Sequence, residues 1–121
     1  DPDVPDANRE LASFGLKEFV EDREGISIYA TGPRTGYILV SDQQANLFQV
    51  FRREGAPGAP HHHEHLGAVR LSTTGSDGSE STATALGDRY PMGLFVAMSD
   101  DRTFQLYSYD EILSAIGRLG K

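Results

Sequence analysis

Two carboxylates able to take part in chemistry lie just ahead of an apolar segment. Asp22 and Glu24 stand two positions apart, so their side chains point to the same side if this part of the chain is extended. Oxygen atoms that face one direction suit a hard cation such as Ca2+, which takes about six to eight oxygen ligands. Taken alone, however, the pair fits a solvated acidic turn better than a cation site.

Two other polar segments could add ligands. Gln43 lies in the polar stretch 41–46, where an amide can ligate Ca2+ through its oxygen or hydrogen-bond a phosphate through its nitrogen. Asp77 lies in the stretch 76–81, which combines Asp-Gly with hydroxyls and a carboxylate but lacks the full spacing of an EF-hand loop. Each stretch by itself is more typical of a polar loop than of a site.

A separate group of imidazoles is found at His61, His63 and His65. In an extended strand these three side chains share a face and could bind zinc or a similar ion. A solvated loop insertion between strands is the interpretation we favour. A transition-metal site at this cluster is the alternative.

The segments that must position these residues are mostly strands. Residues 36–41 form a continuous apolar run of strand length, which is typical of a strand buried on both faces. The strands predicted at 94–98 and 104–107 would form a hairpin around an acidic turn. Residues 9–16 are predicted to form a short helix or turn. Apolar patterns predict further strands at 25–30, 46–52, 67–73, 94–98 and 104–107, with a polar loop over 72–84.

The chain changes period near its end. Four aliphatic residues between positions 112 and 119 follow helical spacing. Ser108 with Glu111 matches the S-x-x-E pattern of a capping box. Together these features predict a helix over 109–117.

Composition limits the class of partner. The chain has 121 residues, a net charge of −7 and no cysteine. Nucleic acid is disfavoured as a primary partner, because phosphate backbones are bound by clustered Lys and Arg. A membrane span is also disfavoured, because no apolar run approaches the roughly 20 residues needed. The length predicts one small domain, and the absence of cysteine excludes disulfides and thiolate metal sites.

Four motifs, in order along the chain, resemble the β-propeller phytases. They read D-x-E-G-I-x-I-Y from Asp22, G-Y-I-L-x-S-x-Q from Gly36, S-D-G-S from Ser76 and Y-P-x-G-L-F-V-A from Tyr90. The resemblance covers residues 19–116, nearly the whole chain. Members of this family are six-bladed, calcium-dependent hydrolases that release phosphate from phytate.

The resemblance implies a fold that is mainly β. Antiparallel strands would form about one and a half to two blades of a six-bladed propeller, followed by a C-terminal helix. Residues 1–121 are then a single fragment with an irregular lead-in (1–17), β blades (18–107) and the helix (108–119). The remaining blades of a longer parent chain are expected partners, and exposed strand edges could pair with another copy.

The resemblance also implies roles for individual residues. Asp22 and Glu24 are expected to be catalytic residues that bind active-site calcium. Gln43 is expected to contact both substrate and metal, and Asp77 to bind calcium.

The function implied is that of a 3-phytase. Such an enzyme is a phosphomonoesterase that hydrolyses phytate, or another phosphorylated small molecule, with calcium-activated water. The isolated chain is expected to be inactive. A secreted or periplasmic parent protein is expected from the family, although the acidic N-terminus shows no signal peptide. The alternative is a non-enzymatic propeller module that is stabilised by calcium or binds a protein.

Overall fold

The structure, a computed structural model, describes residues 3–120. The first sheet contains four strands that pair antiparallel in sequence order. β2 is buried along almost its whole length, as its continuous apolar run predicts. The strands are β1 (Arg23–Ala30), β2 (Gly36–Asp42), β3 (Leu47–Arg52) and β4 (His65–Val69).

The second sheet contains three strands and leads into a helix. β5 (Ser79–Thr82), β6 (Leu94–Ser99) and β7 (Thr103–Ser108) pair antiparallel in that order, and α1 (Tyr109–Ile116) follows β7 directly. The hairpin predicted over 94–107 and the predicted helix are both present. The prediction of a loop throughout 72–84 is wrong at β5, a strand whose four residues are all polar.

The fourth strand lies earlier than predicted. It was expected over 67–73, but it begins at His65 and ends at Val69. Val69 pairs with Phe48, the second residue of β3, so only Leu47 of that strand lies beyond this pair. The chain beyond Val69 therefore has little of β3 left to pair with.

The lead-in contains no helix between residues 9 and 16. Its hydrogen-bonded turns lie earlier, where Ala7 donates to the Val4 carbonyl and Arg9 to the Asp6 carbonyl. The chain that follows instead packs an aromatic ring on the first sheet. Phe14 contacts Phe51 of β3 edge to face, with ring centroids 5.2 Å apart.

The start of α1 differs from the predicted capping box. Ser108 precedes the helix, but its side chain makes no cap hydrogen bond, and its buried Oγ has no partner within residues 3–120. The N–H of Tyr109 lies in the first turn, where the helix itself offers no acceptor, and it donates to the Gly93 carbonyl at 3.0 Å. This hydrogen bond connects the first turn of α1 to the residue that precedes β6. The helix ends at Ile116, with turns over 117–120. Within residues 3–120, no helix is both long enough and apolar enough to cross a membrane.

The two sheets and α1 enclose a core, which we call the inter-sheet core. Tyr29 of β1 and Tyr109 of α1 stack within it, with ring centroids 3.5 Å apart. This packing fixes the two sheets relative to each other and so positions the ends of their strands. The inter-sheet core comprises Tyr29, Leu39, Phe48, Val50, Val69, Phe95, Ala97, Tyr109, Ile112 and Ile116.

Apolar side chains are also exposed on the outer sides of the sheet pair. On β1, Ser27 and Tyr29 point inward, whereas Ile26 and Ile28 are about half exposed. Part of this outer face is covered, because Phe14 and Phe19, which precede β1, pack against Ile38, Val40 and Phe51. On the second sheet, Phe104 and Leu106 of β7 are largely exposed.

Candidate functional site

The predicted site residues lie where several strands begin or end. Asp22 immediately precedes β1, and Gln43 immediately follows β2. Antiparallel pairing places these two points side by side, because Arg23 of β1 is opposite Asp42 of β2. Asp77 lies two residues before β5.

A glycine contact brings the Asp77 segment to the same place. Gly25 of β1 packs against the backbone of Gly78 and Ser79. A Cβ atom added to Gly25 would lie 2.8 Å from both the Gly78 Cα and the Ser79 nitrogen. Glycine is therefore required for the two sheets to meet this closely beside Asp77.

Asp22 is held by the two glutamines that follow β2. Its Oδ2 accepts a hydrogen bond from Gln44 Nε2 at 2.7 Å, and its N–H donates to Gln44 Oε1 at 2.9 Å. Its carbonyl accepts from the Gln43 N–H at 3.2 Å. Backbone and side chain of Asp22 are thus both fixed to the end of β2.

Gln43 connects this arrangement to Asp77. Its Nε2 donates to Asp77 Oδ1, and its Oε1 lies 3.4 Å from Gln44 Nε2, which donates to it. The two amides therefore form a continuous hydrogen-bonded path between the carboxylates of Asp22 and Asp77. We call the group Asp22, Glu24, Gln43, Gln44 and Asp77 the polar end.

Glu24 completes the polar end on β1. Its carboxylate is exposed and has no hydrogen-bond or ion-pair partner among the residues described. The β1–β2 register shifts between Arg23 and Ile26, which adds one residue to β1 around Glu24. This bulge interrupts simple alternation, so a shared side for Asp22 and Glu24 stays a prediction.

The loop that carries Asp77 is anchored to the first sheet. Ser41 Oγ donates to the Ser76 carbonyl at 2.7 Å, and Asn46 Oδ1 accepts from the Gly75 N–H at 2.8 Å. Asn46 has a φ of 52°, a left-handed conformation that asparagine tolerates well.

The same loop is anchored to the second sheet. Thr74 Oγ1 donates to Asp100 Oδ1 at 2.6 Å, and the Asp100 N–H donates to the Thr74 carbonyl at 2.9 Å. Asp101, in the same turn, has a pKa lowered chiefly by the hydrogen bond from the Thr103 hydroxyl. Sequence reasoning did not assign anchoring roles to Asn46 or Asp100, because their partners are distant in sequence.

The polar end has excess negative charge. Arg23, the basic residue between Asp22 and Glu24, is directed elsewhere: its guanidinium donates to the carbonyls of Gly15 and Leu16 and lies over the Phe19 ring. Three carboxylates and two amides therefore present oxygen atoms, the donor type that Ca2+ prefers. Within residues 3–120 no group of three or more His, Cys, Asp or Glu side chains is arranged to hold a metal. The metal-binding role of the polar end therefore stays a prediction.

His63 and His65 each have their own hydrogen-bond partner. His63 Nδ1 lies 3.0 Å from the Arg52 carbonyl, and His65 Nε2 lies 2.8 Å from Gln49 Oε1. His61 is exposed in the turn before them. Since the described residues contain no metal-holding group, the zinc hypothesis for His61, His63 and His65 gains no support.

Sequence comparison relates the chain to known proteins. Residues 1–110 match the family model described as Phytase. The chain is also 26% identical over 108 residues to the 3-phytase of Bacillus subtilis (strain 168), a match that covers 81% of this chain. It spans only 28% of the length of that relative. On the family match over most of its length, the chain belongs to the phytase family.

Proposed function

We propose that this chain is part of a longer phosphomonoesterase of the 3-phytase type, and that its polar end supplies part of a calcium site that binds phytate. The observation that carries the proposal is the hydrogen-bonded path from Asp22 through Gln44 and Gln43 to Asp77. It joins three residues whose predicted roles are metal and substrate binding. Family membership supports a phosphorylated substrate.

Electrostatics supports a bridging cation. Phytate carries many phosphate charges, and the carboxylates of Asp22, Glu24 and Asp77 would repel them. Bound calcium would neutralise phosphate charge and activate a water for attack on phosphorus. Asp22, Glu24 and Asp77 would bind the cation through carboxylate oxygens, whereas the amide of Gln43 can donate to a phosphate oxygen.

The architecture supports placement within a propeller. The four-stranded sheet β1–β4 and the three-stranded sheet β5–β7 lie with β1 beside β5, as the inner strands of neighbouring blades do. The exposed Ile26 and Ile28 on one side, and Phe104 and Leu106 on the other, would then contact the remaining blades of the parent chain. Those blades would also supply the missing ligands and the basic groups that orient phytate. We retain a secreted or periplasmic location for the parent as part of this proposal.

Calcium titration by calorimetry tests the proposal. The chain should bind calcium with a dissociation constant weaker than about 1 μM, because several of the usual oxygen ligands are supplied from elsewhere. Asp22→Asn and Asp77→Asn should each weaken binding by about tenfold or more. Asp88→Asn is the matched control, since it removes one exposed carboxylate in the loop at the other end of β5 and β6.

Three outcomes would contradict the calcium site. They are the absence of any calcium binding, equal effects of Asp88→Asn and Asp22→Asn, and sub-micromolar binding that survives Asp22→Ala. A different result would favour the non-enzymatic module. In that case calcium would raise the melting temperature, yet the complete parent protein would release no phosphate from phytate.

A further inference from the structure

A buried carboxylate lies directly beside the polar end. Asp42, the last residue of β2, is only 1% exposed. Its Oδ1 accepts from the Val20 N–H at 3.2 Å, and its Oδ2 accepts from Gln49 Nε2 at 3.0 Å. Both donors are neutral. Because a carboxylate is costly to bury, the hydrogen bonds that it accepts must be well placed.

Gln49 extends this arrangement in a fixed direction. It is 5% exposed, and its Nε2 also donates to the Glu18 carbonyl at 2.8 Å. Because the amide nitrogen faces two acceptors, the amide oxygen must face His65. His65 Nε2 therefore carries the hydrogen in its 2.8 Å contact with Gln49 Oε1. Every donor and acceptor from His65 to Asp42 is thus determined.

These bonds hold the backbone that leads to Asp22. Val20 and Glu18 lie in an irregular segment that precedes β1 and so has no strand pairing of its own. Asp42 and Gln49 fix the segment at positions 20 and 18, and the two glutamines after β2 fix it at position 22. The carboxylate of Asp42 contributes to this attachment twice, because it binds the Val20 N–H directly and also accepts from Gln49, which holds position 18.

We infer that Asp42 is a positioning residue, which holds segment 18–22 on the end of β2 so that the Asp22 carboxylate stays in place for cation binding. The predicted effect of Asp42 on cation binding rests on the proposed calcium function, whereas its hydrogen bonds to segment 18–22 do not depend on that function. Loss of Asp42 alone should leave the segment attached. Phe19 still packs beside Phe51, with ring centroids 6.2 Å apart.

Asp42→Asn tests the inference with little change in shape. An asparagine oxygen can still accept from Val20, but its NH2 group then faces the NH2 group of Gln49. Gln49→Glu tests the same contact from the other side, because the carboxylate introduced at position 49 would face both the Asp42 carboxylate and the Glu18 carbonyl and could donate to neither. Ile112→Val is the control, since it weakens the inter-sheet core within α1, away from segment 18–22.

Two measurements on the 121-residue chain separate positioning from general stability. Hydrogen exchange should show lost protection of the Asp22 N–H in Asp42→Asn, and calorimetry should show calcium affinity lower by about tenfold or more. Gln49→Glu should show the same two losses. Ile112→Val should lower the unfolding midpoint and change neither.

Other outcomes overturn the inference. Unchanged exchange at Asp22 in Asp42→Asn would do so, as would equal losses in Asp42→Asn and Ile112→Val. If the unsubstituted chain binds no calcium, the proposed calcium function fails, and exchange at Asp22 alone then decides whether Asp42 positions the segment.

Discussion

The inter-sheet core and the polar end are formed by the same two sheets, but they differ in how far their contacts are satisfied. Leu39, Phe95 and Ile112 of the core are completely buried. At the polar end, by contrast, Asp22, Glu24 and Asp77 are exposed, and their oxygens are only partly used. A core needs apolar contact from any neighbour, whereas calcium needs about six to eight oxygens in one place. The described residues complete the core, whereas at the polar end they bring together three carboxylates and two amides, fewer groups than calcium usually takes.

The largest expected effect concerns catalysis by this chain alone. On the proposed function it should release little or no phosphate from phytate even with calcium present, because the groups that orient the substrate would be supplied by the rest of the parent chain. Orientation can account for about 7–11 kcal/mol of a barrier reduction. A phosphate-release assay with the chain and with its complete parent would measure the difference. Release at rates typical of an enzyme, abolished by Glu24→Ala, would show that the polar end is complete.

A core substitution tests the other half of the comparison. Leu39→Ala should lower the free energy of unfolding by about 2–5 kcal/mol, because it leaves a cavity in a fully packed site. Ile28→Ala is a suitable control, since Ile28 is 47% exposed on the outer face of β1. Chemical denaturation measures both. A loss below about 0.5 kcal/mol for Leu39→Ala, well under the usual range, would mean that β2 is not central to the core.

Tyr109, which is buried in the inter-sheet core, predicts a pH dependence of stability. Burial raises the pKa of the Tyr109 hydroxyl well above its usual range. The unfolded chain ionises this group near pH 10 and the folded chain does not, so the group binds fewer protons in the unfolded state above that pH. Stability should therefore fall above about pH 10, by up to about 1.4 kcal/mol per pH unit.

Tyr109→Phe isolates that contribution. At pH 8 it removes the contact between the Tyr109 hydroxyl and Ser81 Oγ, 3.2 Å apart, and should cost about 0.5–1.5 kcal/mol. The difference from the unsubstituted chain should narrow or reverse between pH 10 and 11 in urea titrations. A constant difference across this range would show that Tyr109 titrates normally in the folded protein.

An exposed ion pair should have the smallest effect. Arg52 Nε lies 2.7 Å from Glu64 Oε2, and this hydrogen bond is the main cause of the raised pKa of Arg52. Their side chains are 44% and 60% exposed, so Glu64→Gln should cost no more than about 1 kcal/mol and less in high salt. Urea denaturation in low and high NaCl would measure this. A loss comparable with that of Leu39→Ala would contradict the view that the core dominates stability.

Much of the fold could be predicted from local patterns. The apolar run of β2 and the helical spacing of α1 were sufficient, because each element buries a face that its own residues define. β5 was missed, since Ser79–Thr82 contains no apolar residue. Its inward contacts are hydroxyls: Ser81 Oγ lies 2.9 Å from Ser27 Oγ and 3.2 Å from the Tyr109 hydroxyl. The segment is a strand because its backbone pairs with β6, a partner that its own residues do not reveal.

The site was predictable in part, and for a different reason. Motif resemblance selected Asp22, Gln43 and Asp77, which the structure brings into one hydrogen-bonded group, while their metal and substrate roles stay predictions. Gln44 and Asp42 were not selected. Both lie next to Gln43 in a polar stretch, so residue type alone does not distinguish them from the polar residues around them. Burial on the sheet separates Asp42 from its exposed neighbours, and burial depends on distant partners such as Val20.

Gly25 limits how this protein can vary. Any side chain at that position would overlap the backbone of Gly78 and Ser79, so the sheets would have to open at this point. The opening would carry Asp77 away from Asp22, while the stack of Tyr29 and Tyr109 could still hold the far end together. In a library of variants selected only for a folded chain, some replacements at position 25 could survive. In a library selected for cation binding, we expect glycine alone.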